Sequence, residues 1–279
     1  MTLTTYSMLA TKRGSGPTGH THFDRLAEQA WGLVIYDEVH LLPAPVFRLT
    51  AELQARRRLG LTATLVREDG RERDVFALIG PKRYDVPWRE LEKSGHIAAA
   101  ECSEVRVALQ ESDELAYAHA DKRDQPRLAA ENPRKLEALT RLAERHAGDR
   151  VLVLGSYLES LHVAGRLLDC AVVTGETAHT ERERAYADFR SGRTRRLALS
   201  RVGNFAIDLP EANVLIQLSG TMGSRQEEAQ RLGRVLRPKP GGARFYTLVT
   251  RGTVEQEHAL HRQLFLTEQG YRYVIEDWS

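Results

Sequence analysis

The chain has 279 residues, 42% of them hydrophobic and 28% charged, with a formal net charge of +2. This length suits two ordinary domains, and the near-neutral charge neither requires nor excludes a nucleic-acid partner. No apolar run reaches the roughly 18 residues of a membrane span and no secretory signal is recognisable, so we expect no membrane association and a cytoplasmic protein.

The first predicted elements belong to an α/β unit. Residues 32–36 are apolar and predict a buried strand that ends at Asp37, and residues 59–62 predict a second strand beside it. Because only these two strands are recognisable before residue 95, we expect an incomplete unit whose missing strands lie upstream of Met1. An uncovered sheet edge and apolar face then predict poor solubility unless a partner covers them.

Regular α/β alternation follows. A strand is predicted at residues 101–109 and a helix at 132–146, and strands and helices then alternate from Arg150 to a last helix at 253–270. The expected fold class is α/β, with two parallel-sheet domains over residues 1–95 and 96–279. Cys102 and Cys170 lack metal-ligand spacing, so we expect reduced thiols and no zinc site.

Two motifs stand at the ends of the first two strands. Asp37 and Glu38 begin the sequence DEVH, and adjacent carboxylates there can hold Mg²⁺ and polarise an attacking water. Thr62 and Thr64, in LTAT, could link the acidic pair to the other domain. The alternatives are a polar exit from a strand and a strand end capped by threonines.

The third motif is QRLGRVLR, at residues 230–237. On a predicted helix over residues 226–236, Arg234 and Arg237 share one face with Gln230 and could reach a γ-phosphate. Gly233 inside that helix suggests close backbone approach. The alternative is a basic, solvated helix face.

The order and spacing of DEVH, LTAT, SRVGNFAIDLPEANVLIQLSG and QRLGRVLRPK resemble superfamily 2 helicases, most closely the XPB family of DNA repair and transcription helicases. The resemblance extends over nearly the whole chain and implies two RecA-like domains, ATP and Mg²⁺ as cofactors, and DNA as a partner. It is weakest between residues 111 and 130.

The resemblance also implies residue roles. Asp37 and Glu38 would be the Mg²⁺ and water residues, completed by His40, while Thr62 and Thr64 would couple hydrolysis to movement. The nucleotide-side positions of the later motifs would be Gly203, Asp208, Gln230, Arg234 and Arg237. The expected DNA-contacting positions are Thr5, Tyr6, Arg67, Glu68 and Asp69. Asn204 departs from the acidic residue often found at this position in relatives.

The sequence contains no GxxxxGK[ST] loop, which such enzymes use to bind the β- and γ-phosphates. The chain therefore looks like a fragment of an ATP-dependent 3′ to 5′ DNA helicase or translocase that is not active alone. A separate chain could supply the missing N-terminal part. The alternative is a catalytically inactive remnant that binds DNA or protein.

Overall fold

The chain forms two compact units, Met1–Asp85 and Val86–Ser279. The computed structural model describes residues 1–12, 17–62, 72–200, 209–220, 224–239 and 241–278.

The first unit contains two parallel strands, which pair from Trp31↔Ala55 to Tyr36↔Gly60. The predicted neighbouring strands are therefore confirmed, although the second begins earlier than expected and ends before Thr62. The elements of this unit are α1 (Tyr6–Ala10), α2 (Thr21–Ala27), β1 (Trp31–Tyr36), α3 (Pro45–Arg48), β2 (Ala55–Gly60) and α4 (Glu72–Ile79), with 3₁₀ turns at Val39–Leu41 and Leu49–Glu52.

The prediction that β1 is a buried strand is wrong. Leu33 and Ile35 are 50% and 54% exposed, because side chains alternate along a strand and only one face of this sheet is packed. The packed face presents Val34 and Tyr36 to a small core with Val39 and Leu42. Continuous apolar sequence thus predicted the strand but not its burial.

The second unit is a sheet of seven strands in the order β5-β6-β4-β7-β8-β3-β9, and every neighbouring pair is parallel. The strands are β3 (Ala100–Val107), β4 (Val151–Leu154), β5 (Ala171–Val173), β6 (Arg196–Leu199), β7 (Val214–Gln217), β8 (Ala243–Thr250) and β9 (Tyr273–Trp278). The helices are α5 (Trp88–Lys93), α6 (Glu111–His119), α7 (Gln125–Ala130), α8 (Arg134–Arg145), α9 (Leu158–Leu167), α10 (His179–Ser191), α11 (Arg225–Gly233) and α12 (Val254–Glu268). The predicted α/β alternation is confirmed.

Helices cover both faces of this sheet. In β4, Leu152 and Leu154 join a core with residues of α10 and α11, while Val151 and Val153 join another with residues of α8 and α9. Strands buried on both sides explain why the sequence shows short continuous apolar runs rather than alternation.

The order in which the chain adds strands to the sheet reverses between β4 and β7: β5 and β6 lie on the β4 side, and β8 lies on the β7 side. The strands β4 and β7 are neighbours, yet the helices that follow them, α9 and α11, pack on opposite faces. Such a switch point opens a crevice at the carboxyl ends of the two strands, where ligands bind in open α/β sheets.

Within the described ranges, the helices are all too short or too polar to span a lipid bilayer.

Candidate functional site

The acidic pair lies at the carboxyl end of β1. Asp37 is exposed, and its carboxylate accepts a hydrogen bond from the backbone N–H of Glu38 at 3.0 Å. Glu38 adopts the left-handed conformation, with φ 49° and ψ 48°, which is uncommon for a residue with a side chain. Such conformations concentrate at functional sites, where the surrounding structure maintains the strain.

His40 connects the acidic pair to the end of β2. The buried imidazole Nδ1 lies 2.8 Å from the Thr62 hydroxyl and 3.4 Å from a carboxylate oxygen of Glu38. Backbone hydrogen bonds join the same segments, since Val39 N–H donates to the Leu61 carbonyl and Leu61 N–H donates to the Tyr36 carbonyl. The structure therefore brings Glu38, His40 and Thr62 together as one cluster.

Tyr6 contacts the same acidic pair from α1. Its hydroxyl donates to the Asp37 carbonyl at 2.6 Å, and its ring packs against Phe47 at 5.5 Å. Burial raises the pKa of the Tyr6 phenol far above its ordinary value, with smaller contributions from neighbouring acidic groups, so the hydroxyl stays a donor. Thr5 caps α1 by accepting from Met8 N–H at 3.1 Å. Both residues thus make internal contacts, and their DNA-binding role stays a prediction.

Two carboxylates suit a magnesium ion. The described residues contain no group of three or more His, Cys, Asp or Glu side chains that could hold a metal. Mg²⁺ nevertheless commonly uses one or two protein carboxylates, together with phosphate oxygens and water. Asp37 and Glu38 therefore fit an ion that arrives with a nucleotide better than a permanently caged one.

The predicted helix through Arg234 and Arg237 is wrong. Helix α11 ends at Gly233, and Arg234 is its C-cap residue, whose N–H donates to the carbonyls of Arg231 and Leu232. Arg237 is exposed in a bend before Pro238, and the residue before a proline is disfavoured in helical conformation. The two arginines therefore do not share a helix face, although Gln230 does lie on α11 and is half-buried.

The close backbone approach predicted at Gly233 is also absent. A Cβ built there meets no described atom within 4 Å. The glycine instead borders a cavity of about 220 Å³ whose lining includes Trp88, His96, Leu236 and Arg237. The glycine is better explained by the end of the helix, where its weak helix propensity favours termination.

Six predicted site residues lie outside the described residues: Thr64, Arg67, Glu68, Asp69, Gly203 and Asp208. Their roles stay predictions. The remaining predicted positions form two groups. One surrounds Asp37 in the first unit, and the other lies at the end of α11 in the second.

The crevice between β4 and β7 was not predicted from the sequence. Ser156 and Ser219 follow these strands, and the Ser156 N–H donates to the Ser219 hydroxyl at 2.8 Å. The Ser156 hydroxyl is buried and has no hydrogen-bond partner among the described residues. Helix α9, with N-cap residue Tyr157, begins here, so its first N–H groups and positive dipole end also lie at the crevice. The available signal was the pair of small dipeptides that follow two apolar strands, Gly-Ser directly after β4 and Ser-Gly one residue after β7.

The chain is similar to bacterial and eukaryotic helicases. It is 55% identical to a protein of Kineococcus radiotolerans named DNA 3′-5′ helicase XPB, over 99% of this chain and 50% of that protein. The Mycobacterium tuberculosis protein of the same name is 52% identical, again over 99% and 50%. The general transcription and DNA repair factor IIH helicase/translocase subunit XPB of Schizosaccharomyces pombe is 38% identical, over 98% of this chain and 35% of that one. The chain thus spans about half the length of the bacterial relatives.

The fold is similar to that of a solved yeast protein. Yeast Dbp5, in a structure bound to RNA and ADP BeF3, matches with a TM-score of 0.63 at 13% identity, covering 89% of this chain and 61% of that one. At this identity the likeness establishes the fold alone. It confirms the predicted α/β, RecA-like fold class.

A family model described as the ERCC3/RAD25/XPB C-terminal helicase matches residues 91–278, which include all seven strands of the large sheet. Together with relatives that match nearly the entire chain, this match confirms the resemblance seen in the sequence motifs. The chain belongs to the ERCC3/RAD25/XPB helicase family.

Proposed function

We propose that the chain is the C-terminal part, not active alone, of an ATP-dependent XPB-type 3′ to 5′ DNA helicase or translocase that serves DNA repair. Its cofactors are ATP and Mg²⁺, and its partner is DNA. The observation that carries the proposal is the cluster of Glu38, His40 and Thr62 beside Asp37, because it joins two helicase motifs by direct contact. The names of the relatives support the polarity and the link to repair.

In this proposal Asp37 and Glu38 have separate roles. The exposed carboxylate of Asp37 would hold a Mg²⁺ ion, which would supply positive charge to neutralise phosphate oxygens. Glu38 accepts a proton from the attacking water at its carboxylate oxygen, 3.4 Å from His40 Nδ1. His40 and Thr62 then link the protonation and position of Glu38 to the end of β2, which supports their proposed role in coupling hydrolysis to movement.

The arginines that follow α11 would contact the nucleotide. Arg234 is half-buried and Arg237 exposed, and guanidinium groups bind phosphate oxygens with two parallel donors. Because the two side chains leave the backbone from a cap and a bend rather than from one helix face, we expect them to contact different groups. The other residues proposed to bind ATP or to couple its hydrolysis to movement are Gln230, Thr64, Gly203 and Asp208.

The crevice between β4 and β7 would bind a phosphate of the DNA strand. A buried hydroxyl, the adjacent Ser219 and the first N–H groups of α9 together offer neutral donors and a favourable dipole to an anion. The residues of the first unit that we propose to contact DNA are Thr5, Tyr6, Arg67, Glu68 and Asp69.

In this proposal ATP hydrolysis needs a phosphate-binding loop from polypeptide outside these 279 residues, since the sequence holds no GxxxxGK[ST]. We propose that it lies in the part of the relatives that the chain does not span, provided either in the same polypeptide or by a separate chain. The missing loop is also the observation that favours the second candidate, an inactive DNA- or protein-binding module.

The test is DNA-stimulated ATP hydrolysis by the purified chain, alone and mixed with the part of the Kineococcus protein that the chain does not span. We expect activity only in the mixture, and we expect the Asp37→Ala/Glu38→Ala variant to abolish it. Glu276→Ala/Asp277→Ala removes another adjacent carboxylate pair, in β9, and serves as the matched control that retains activity.

Each other outcome has a distinct meaning. Activity of the chain alone that depends on Asp37 and Glu38 would contradict the need for an outside loop. An inactive mixture that still binds a labelled oligonucleotide would favour the inactive module. DNA affinity that does not fall with salt would contradict phosphate contacts, because each one contributes a slope of about 0.7 log units on single strands.

A further inference from the structure

Four consecutive residues at the carboxyl end of β7 are each contacted by a buried cationic side chain. Arg231 donates to the Gln217 side-chain oxygen at 2.6 Å and to the Ser219 carbonyl at 3.3 Å, and Lys135 donates to the Leu218 carbonyl at 3.3 Å. The guanidinium of Arg262 packs so closely on Gly220 that a Cβ there would lie 2.5 Å from its Cζ. We call Lys135, Arg231 and Arg262 the cation clamp.

Three carboxylates neutralise the cation clamp. Lys135 pairs with Glu255 at 2.5 Å, Arg231 with Glu227 at 2.9 Å, and Arg262 with Glu228 at 3.3 Å. The cations are at most 4% exposed, and they come from three different helices, α8, α11 and α12. The clamp therefore fixes the short segment from three directions.

Burying three ion pairs is an expensive way to hold a turn. Removing an ion from water costs several kcal/mol, and apolar packing of equal volume is often at least as stabilising. The contacts indicate what the charges do in this segment. They fix the main-chain carbonyls around Ser219, whose hydroxyl accepts the Ser156 N–H.

Arg231 is the central member of the clamp. Although it belongs to the QRLGRVLR motif, its guanidinium is bound to Gln217, Ser219 and Glu227 and is 1% exposed. The arginines of the motif therefore have different environments. Arg234 and Arg237 follow the end of α11, whereas Arg231 lies within α11 and its buried side chain contacts Gln217 and Ser219.

We propose that the cation clamp sets the geometry of the crevice between β4 and β7 for a DNA phosphate, with Arg231 as the positioning residue that joins α11 to Ser219. The inference rests on the proposed function, because that function names the phosphate. It adds a physical link between the crevice and the helix whose end carries Arg234.

The test compares Arg231→Met with Arg182→Met in hydrogen exchange of the free chain. Arg182 is the matched control, since it is half-buried and donates to the Thr174 and Thr177 carbonyls after another strand of the same sheet. We expect Arg231→Met to speed exchange of the Ser156 amide and of residues 217–220 while β5 is unaffected, and Arg231→Lys to restore part of the protection. Should Arg231→Met fail to fold, Glu227→Gln loosens the same contact.

The second measurement is the affinity for a fluorescent thymidine oligonucleotide in a double-mutant cycle with Ser219→Ala. We expect Arg231→Met to weaken binding about tenfold, and to have little further effect once Ser219 is alanine, because both changes act on one contact.

The outcomes separate the two proposals. Uniformly faster exchange, unchanged exchange, or additive losses in the cycle would each overturn the positioning role. A wild-type chain that does not bind the oligonucleotide would overturn the DNA proposal and the phosphate assignment, whatever the exchange pattern.

Discussion

At the scale of single residues, the cluster around Asp37 depends on tight packing behind it. Gly60 ends β2, and a Cβ at this position would lie 2.8 Å from Val39 Cγ2 and 3.2 Å from Ile79 Cγ2. Val39 stands between Glu38 and His40, so any displacement of Val39 would also move the proposed catalytic groups.

We therefore expect Gly60→Ala to destabilise the first unit by about 1–3 kcal/mol, the usual range for overpacking. Gly32→Ala is the control in the neighbouring strand, where a Cβ meets no described atom within 4 Å. Urea denaturation followed by Trp31 fluorescence, with Trp88 and Trp278 replaced by phenylalanine, measures the difference. Equal midpoints for the two variants would contradict the packing argument.

A second residue-scale prediction concerns Asp149, which precedes β4. Burial raises its pKa, but hydrogen bonds to His146 and Asn213, with the charges of His146 and Arg244, outweigh burial and lower the pKa below the ordinary 3.8. A depressed carboxyl pKa contributes stability above the ordinary value, and this contribution is lost as pH falls through the folded-state pKa. Asp149→Asn should thus reduce the free energy of unfolding at neutral pH.

The pH dependence provides the check for Asp149. The difference between wild type and Asp149→Asn should shrink in denaturation curves recorded below about pH 4. Asp277→Asn, an exposed carboxylate in β9, is the control. A difference that stayed constant from neutral to acid pH would mean that the ionised carboxylate is not the stabilising species.

At the scale of elements, α11 illustrates what periodicity could not decide. The sequence predicted a helix to residue 236, and the apolar residues Leu232, Val235 and Leu236 do continue the helical spacing. All three are buried in the structure, yet the helix ends at Gly233. Burial of a side chain does not require helical backbone, and Gly233 followed by Pro238 favours a stop.

The same element yields a stability prediction. Gly233→Ala should raise the free energy of unfolding by about 0.5–1 kcal/mol. Alanine lowers the conformational entropy of the unfolded chain, and its methyl group would meet no described atom within 4 Å. Gly165→Ala, in α9, should lower it, since a Cβ there overlaps Val172. Thermal unfolding of both variants measures the contrast. A clear loss of stability in Gly233→Ala would show that the helix end needs glycine.

At the scale of the whole molecule, the two-stranded sheet of the first unit has one uncovered apolar face. Leu33, Ile35, Leu59 and Leu61 are each 44–54% exposed. Contiguous exposed apolar side chains favour association with a partner or with other copies of the chain. In the larger sheet, helices cover both faces of the central strands, and the exposed apolar side chains of its edge strand β9 are Val274 and Ile275.

We expect the purified chain to self-associate and the Ile35→Thr/Leu59→Thr variant to do so less, since threonine keeps strand propensity while removing apolar surface. Leu115→Thr is the control, because Leu115 is a single leucine on α6 that is 66% exposed. Sedimentation velocity over a range of concentrations gives the answer. A wild-type chain that stays monomeric at every concentration would contradict the prediction.

The sequence by itself determined the α/β class, the strands of the large sheet and the family, because these follow from local apolar patterns and from motifs in a fixed order. It also predicted Asp37, Glu38, His40 and Thr62 as site residues, and the structure brings Glu38, His40 and Thr62 into contact. Only the tertiary structure decided that one face of β1 is exposed and that Arg231 is buried. It also decided that Arg234 is the C-cap residue of α11 and that Arg237 lies in a bend after the helix. The reason is physical: burial and partner choice depend on residues far apart in the chain, such as Arg231 and Gln217 or Lys135 and Glu255, whose proximity no local pattern encodes.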